Sequence, residues 1–236
     1  MEEGLRERKK RETRRRISDM ATGLFLMRGF DQVTVAEVAR AADVSVNTVF
    51  NYFGTKEDLF LDRQADLEEI YRGVVRDRRP GESVADAFRR DFLDALDTGD
   101  WRYGFHEGAE VFGRVIAESP ALRARTLEIE RQVMACVAAA IAEETGADPD
   151  DVRPELVAAQ ILSTTRLLSR HALRRRAAGE SPRETEAWLR EQAEALFDLL
   201  ESGIGDYGRR PLVVADDGEA AGDHEDDHVE GDHGRP

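Results

Sequence analysis

Little sulfur, little proline and no long apolar run mark this chain, and each shortage removes a class of protein. A single cysteine, Cys136, excludes an intramolecular disulfide and suits a reducing compartment. It sits in the apolar helical run MACVAAAIA, where packing is its expected role. The uninterrupted apolar stretches fall far short of the roughly 20 residues that span a bilayer. Met1-Glu2-Glu3 is not the opening of a signal peptide, so a cytoplasmic protein with no membrane partner is expected. There is no Gly-rich phosphate loop, no HExxH and no nucleophile elbow, which argues against an enzyme and against any cofactor. The paired carboxylates Glu143-Glu144 and Asp150-Asp151 fall at helix ends, where charges are ordinary. Nothing after residue 33 alternates like a strand, so the fold class is all-α.

What the chain does have is charge, unevenly placed. The net charge of −15 argues at first against nucleic acid as a partner. Yet residues 5–16, LRERKKRETRRR, hold eight basic and two acidic residues, while residues 204–236 hold ten acidic and three basic. A basic end on an acidic body steers that end toward DNA phosphate or a minor groove and keeps the rest away.

The stretch VTVAEVARAADVSVNTVFNYFGTKEDLF, residues 33–60, carries the most chemistry. Thr34 and Glu37 have capping-box spacing, and Val33 and Val38 fit a hydrophobic staple. Val35, Val38, Ala39 and Ala42 give that helix one apolar face, with small Ala39 allowing close approach. Asp43 stands at the turn, tolerating a left-handed backbone, and Val44 returns to the core. Ser45 then caps a second helix over Val46 to Phe53, with Val49 and Phe53 inward. Val46, Asn47, Thr48, Asn51 and Tyr52 are left outward or at the rim. Two helices joined this way form a helix-turn-helix whose second helix reads the major groove. Asn suits an adenine edge, and Thr suits a thymine methyl or a hydrogen bond.

Residues 14–60, through the segments RRRISDMATGLFLMRGF, VTVAEVARAADVS and TVFNYFGTKEDLF, resemble the DNA-binding domain of the tetracycline-repressor (TetR) family of bacterial transcription regulators. The resemblance implies a three-helix helix-turn-helix domain followed by a helical ligand-binding and dimerisation domain. It also implies a homodimer on a palindromic double-stranded DNA operator and release by a small-molecule effector. Phosphate contacts are implied at Thr34, Tyr52 and Lys56. Thr34 and Lys56 also open helices whose free N–H groups attract phosphate. Three positions depart from the family pattern: Asp43 replaces the usual glycine, Phe50 replaces a tyrosine and loses its hydroxyl, and Asn47 replaces a small residue or proline.

The rest of the chain reads as helices separated by clear stops. The first ends at Arg28-Gly29, and a linking helix is expected from Lys56 to about Arg78, stopped by Pro80-Gly81. Helices then follow from Ser83 to Leu96, Trp101 to Glu118, Ser119 to Thr145, Pro154 to Ala178 and Ser181 to about Ser202. The implied organisation is a basic arm over 1–15, the DNA-binding domain over 16–60, an effector and dimerisation domain over 61–203 and a disordered acidic tail over 204–236. His224, His228 and His233 in that tail lack rigid ligand spacing, so no metal site is expected. Leu189, Ala193, Leu196 and Leu200 form one stripe on the last helix, with Trp188, Ala195 and Leu199 beginning another. The first stripe is the expected dimer surface. Phe88, Phe92, Trp101, Tyr103, Phe105, His106, Phe112 and Met134 are the expected lining of an effector cavity. The function these readings support is a sequence-specific DNA-binding regulator, a repressor released by a small molecule. The alternative is an activator or architectural dimer without an effector, separated by whether any ligand shifts operator affinity.

Overall fold

The computed structural model describes residues 4–211, and among these the regular elements are all helical. The first helix, α1 (Leu5–Arg28), ends at Gly29, whose φ of 83° no side-chain-bearing residue adopts easily. Residues 5–15 of the basic segment are therefore the leading turns of α1 itself. Then come α2 (Val35–Ala41), α3 (Val46–Tyr52) and α4 (Lys56–Phe60). Thr34 caps α2 in a capping box with Glu37, and Thr55 caps α4 the same way with Asp58. At the end of α2, Asp43 takes φ 52°, the one left-handed non-glycine residue among those described. Its N–H bonds to Arg40 O, and Val44 N–H returns to Ala39 O, closing the left-handed stop that lets α3 cross α2. Ile17, Ala21, Phe25, Phe30, Val33, Val38, Val49 and Phe53 close this domain's core.

The linking helix expected over 56–78 is two helices, α4 and α5 (Gln64–Arg76). The chain breaks at Leu61–Arg63 because Leu59 and Phe60 are buried in the DNA-domain core, while Leu61 packs against both cores. A straight helix would have pulled Phe60 out. The helix expected over 101–118 is also divided, into a 3-10 turn at Trp101–Tyr103 and α7 (Ala109–Glu118). Gly104 and Gly108 between them take φ of 75° and 83°, outside helical space.

The larger domain adds α6 (Val84–Thr98), α8 (Pro120–Thr145), α9 (Arg153–Ala177) and α10 (Pro182–Ile204). Capping boxes at Ser83 with Asp86 and at Ser181 with Glu184 start α6 and α10. The segment after α10, expected to be disordered from 204, is docked through Arg210. Arg210 donates to Arg78 O at 2.8 Å and pairs with Glu144 at 2.8 Å, and Tyr207 packs against the core. Those contacts satisfy both terminal nitrogens of the Arg210 guanidinium, which a free tail would leave to water. Residues 212–236, with the acidic tail and its histidines, lie outside the described residues.

One expectation is corrected by the register of α10. Leu189 and Ala193 are 1% and 0% exposed and belong to the protomer's own core, with Leu196 and Leu200 packed beside them. The stripe assigned to a dimer thus faces inward, because α10 must cover α6 and α9. The other stripe is left uncovered, with Leu199 70% exposed and Ala195 exposed. On neighbouring α9, Leu156 and Leu167 are exposed as well.

Candidate nucleic-acid interface and inter-domain cavity

Ser45 Oγ accepts the Thr48 N–H at 3.0 Å and lies 2.8 Å from the Thr48 hydroxyl, fixing the first turn of α3. Val49 and Phe53 are buried, which turns Val46, Asn47 and Asn51 outward and leaves Thr48 and Tyr52 at the rim. Phe50 is also outward, 49% exposed and one turn from exposed Val46. The pair gives the reading face an apolar ridge suited to thymine methyls. The register alone, Val46 plus four, was enough to place it there.

Thr34 N–H donates to Glu37 Oε2 at 2.8 Å, its hydroxyl donates to the same oxygen at 2.8 Å, and Arg28 reaches Glu37 Oε1 at 2.8 Å. The backbone bond from Thr34, then Arg28 and the Thr34 hydroxyl, hold the Glu37 carboxyl down to about 2. Lys56 sits differently from an extended surface lysine. Its ammonium donates to Phe30 O at 2.7 Å and lies 4.2 Å from the Phe30 ring centre. Partial burial lowers its pKa, and two of its three N–H donors remain for other acceptors. On the far side of α3, Arg14 Nη1 donates to Tyr52 O at 2.8 Å and stacks over Phe53 at 4.5 Å, capping the helix's last carbonyl.

Aromatic, polar and ionic ties join this domain to the larger one. Phe60 of α4 stacks on Phe112 of α7 at 4.2 Å, Ser119 donates to Asp31 at 3.0 Å, and Arg125 pairs with Asp58 at 2.9 Å. Beside them lies a cavity of about 810 Å³. The DNA-binding domain contributes Ser18, Asp19, Thr22 and Phe60 to its wall. Of the residues expected to line a cavity, Trp101, Tyr103, His106, Phe112 and Met134 do so. Phe88 and Phe92 do not: both are fully buried in the solid core, where Phe105 packs edge-on against Phe92 at 5.2 Å. Residues missed by the sequence include Leu162 and Leu173 of α9 and Thr126 of α8; nothing in a helical pattern marks which apolar residue borders a void.

The cavity wall carries two polar atoms in search of partners. His106 Nδ1 and Thr126 Oγ1 are buried and unbonded among the described residues. Burial first, then the charges of Arg63 and Arg176, lower the His106 pKa and keep the ring neutral near pH 7. The wall around it is stiff: Tyr103 donates to Asp91 at 2.8 Å, and Arg102 pairs with Asp91 at 2.9 Å and with Asp100 at 3.1 Å. Volume, aromatic lining and a few unpaired polar atoms are the features of a small-molecule site between helices.

The family model described as bacterial regulatory proteins, tetR family, matches residues 17–62, and that of the MftR C-terminal domain matches residues 82–201, just over half the chain. The chain belongs to the TetR family. It is therefore a DNA-binding transcription regulator, and its relatives are regulators and not enzymes. It is 31% identical over 173 residues to the HTH-type transcriptional regulator TcmR of Streptomyces glaucescens, covering 71% of this chain and 76% of that protein. It is 28% identical over 198 residues to the regulator MftR of Mycobacterium tuberculosis, covering 84% and 93%. Among solved structures it is similar to Salmonella enterica GusR, with a TM-score of 0.51 and 20% identity over 81% of this chain and 94% of that one. That last likeness is one of fold. All of α3 lies within the part of the chain that the tetR family model matches. No helix among the described residues is long and apolar enough to cross a membrane.

Proposed function

We propose that this TetR-family regulator is a dimeric repressor released from its operator by a small molecule that occupies the cavity between its domains. The observation that carries the reading is the stack of Phe60 on Phe112, because both rings also border the cavity. A ligand that displaces Phe112 moves Phe60, and Phe60 is part of the core that holds α2 and α3. Such a ligand binds the operator-competent arrangement less well than another, and that difference in affinity is what shifts the population. Val46, Asn47, Thr48, Phe50 and Asn51 read base edges, while Thr34, Ser45, Tyr52 and Lys56 fix the register on phosphates. Dimerisation uses the uncovered faces of α9 and α10, with Leu156, Leu167, Ala195 and Leu199 at the seam. A two-fold axis there suits a palindromic operator with half-sites about 34–36 Å apart.

The test starts with double-stranded genomic fragments selected on the full chain. Their release is followed by fluorescence anisotropy while small-molecule fractions are titrated at fixed salt. The reading expects a compound that releases the fragment from the wild type and not from a Leu162→Trp variant whose cavity is filled. A compound that binds the cavity and leaves operator affinity unchanged contradicts it.

A further inference from the structure

The family model begins at residue 17, but α1 begins at Leu5, three turns earlier. Most of those extra turns stand in solvent. From Arg6 to Glu12 every residue is exposed, and the first α1 side chain that meets the rest of the domain in a described contact is Arg14, on Tyr52 O and the Phe53 ring. A helix overhang of about nine residues reaches about 13 Å. An amphipathic stripe cannot explain it, since its composition is LRERKKRET.

Its direction follows from the contacts along α1. Thr22, Asp19 and Ser18 border the inter-domain cavity, and Arg14, one to two turns toward the N-terminus, meets the C-terminal end of α3. The overhang continues that path, away from the larger domain and past the recognition helix. Arg6, Lys10 and Arg14 are spaced four apart and so share one side of α1, the side that meets α3. Arg6, Lys9 and Lys10 pair with no carboxylate among the described residues. Arg8 has only a 3.8 Å pairing with Glu12, at a surface where such pairs contribute little.

We propose that the α1 overhang is a second DNA contact, in which Arg6, Lys9 and Lys10 bind backbone phosphates just outside the half-site read by α3. The inference rests on α3 being the reading helix. Row spacing and charge fit a polyphosphate, which presents one negative charge per about 1.7 Å of duplex. Arg14 serves as the hinge point, holding the overhang in register with α3 by capping its last carbonyl. The contact adds affinity and salt dependence and carries no base information.

The experiment uses the full chain, a 40-base-pair duplex selected by the wild type from a random library, and the same site trimmed to its half-site boundaries. The variant is Arg6→Gln/Lys9→Gln/Lys10→Gln, which keeps good helix formers and touches no packed residue. Circular dichroism checks that helicity is retained. On the long duplex the variant should bind roughly tenfold or more weakly at 0.1 M salt, with a log–log salt slope flatter by about 2 to 3. On the trimmed duplex variant and wild type should converge. An unchanged slope on the long duplex overturns the proposal, as does an equal loss on both duplexes, which would place the charges against the half-site itself. Failure of the wild type to select any duplex would overturn instead the assignment of α3.

Discussion

Phe60 and Phe112 stack with ring centres 4.2 Å apart and planes 13° from parallel. One ring belongs to the buried core of the DNA-binding domain, the other to α7, which lines the cavity. No other aromatic stack crosses between the two domains among the described residues. It makes the two units one mechanical body at this point.

Truncating that contact should separate stability from signalling. Phe112→Ala is expected to destabilise the chain by about 2–3 kcal/mol, below the range for a fully buried ring because Phe112 is half-buried. Urea unfolding measures that loss. Operator affinity should change little, while release by a cavity-binding compound is lost. Full release by the compound in the variant would show that the signal takes another route.

The uncovered face and the covered face of α10 should respond to charge in opposite ways. Leu167→Glu/Leu199→Glu is expected to give folded monomers in sedimentation, with operator binding lost. Leu189→Glu places a carboxylate in the protomer's own core and should cost roughly 4 kcal/mol or more of fold stability. A dimer that survives the first variant would remove these helices from the interface.

The cap of α2 predicts an acid limb. Glu37 has a folded pKa of about 2, below its ordinary value of 4.5. A depressed carboxylate contributes its stability in full above the ordinary value and loses it as pH falls through about 2. Carbon-detected NMR of the Glu37 side chain should therefore show a midpoint near 2, and Arg28→Ala should raise it. A midpoint near 4.5 in the wild type would mean that the box with Thr34 is not held in solution.

Much of the DNA-binding domain is legible in the sequence because its signals are local. Thr34 with Glu37, Ser45 before Val46, and Asp43 at the turn each act over three or four residues, and the structure has all three. The break at Leu61–Arg63 is not legible, since no glycine or proline marks it. It arises from a long-range demand, the burial of Phe60 against Phe112. The loop after Tyr103 had its signal in Gly104 and Gly108, which periodicity across 101–118 conceals. For α10 the sequence shows two apolar stripes, and only the packing of α6 and α9 decides that Leu189 and Ala193 face inward while Leu199 does not. The cavity lining was half legible for the same reason. Aromatic content predicts a core, but a void depends on the mutual angles of helices far apart in the chain.

In the proposed release mechanism the cavity and the reading helix share one equilibrium, and linkage tests this without a structure of either complex. The dissociation constant of a releasing compound is measured by calorimetry on the free protein and again with saturating operator duplex. Operator is expected to weaken the compound by the same factor that the compound weakens operator, roughly 5- to 150-fold. Equal affinity for the compound with and without operator would contradict it.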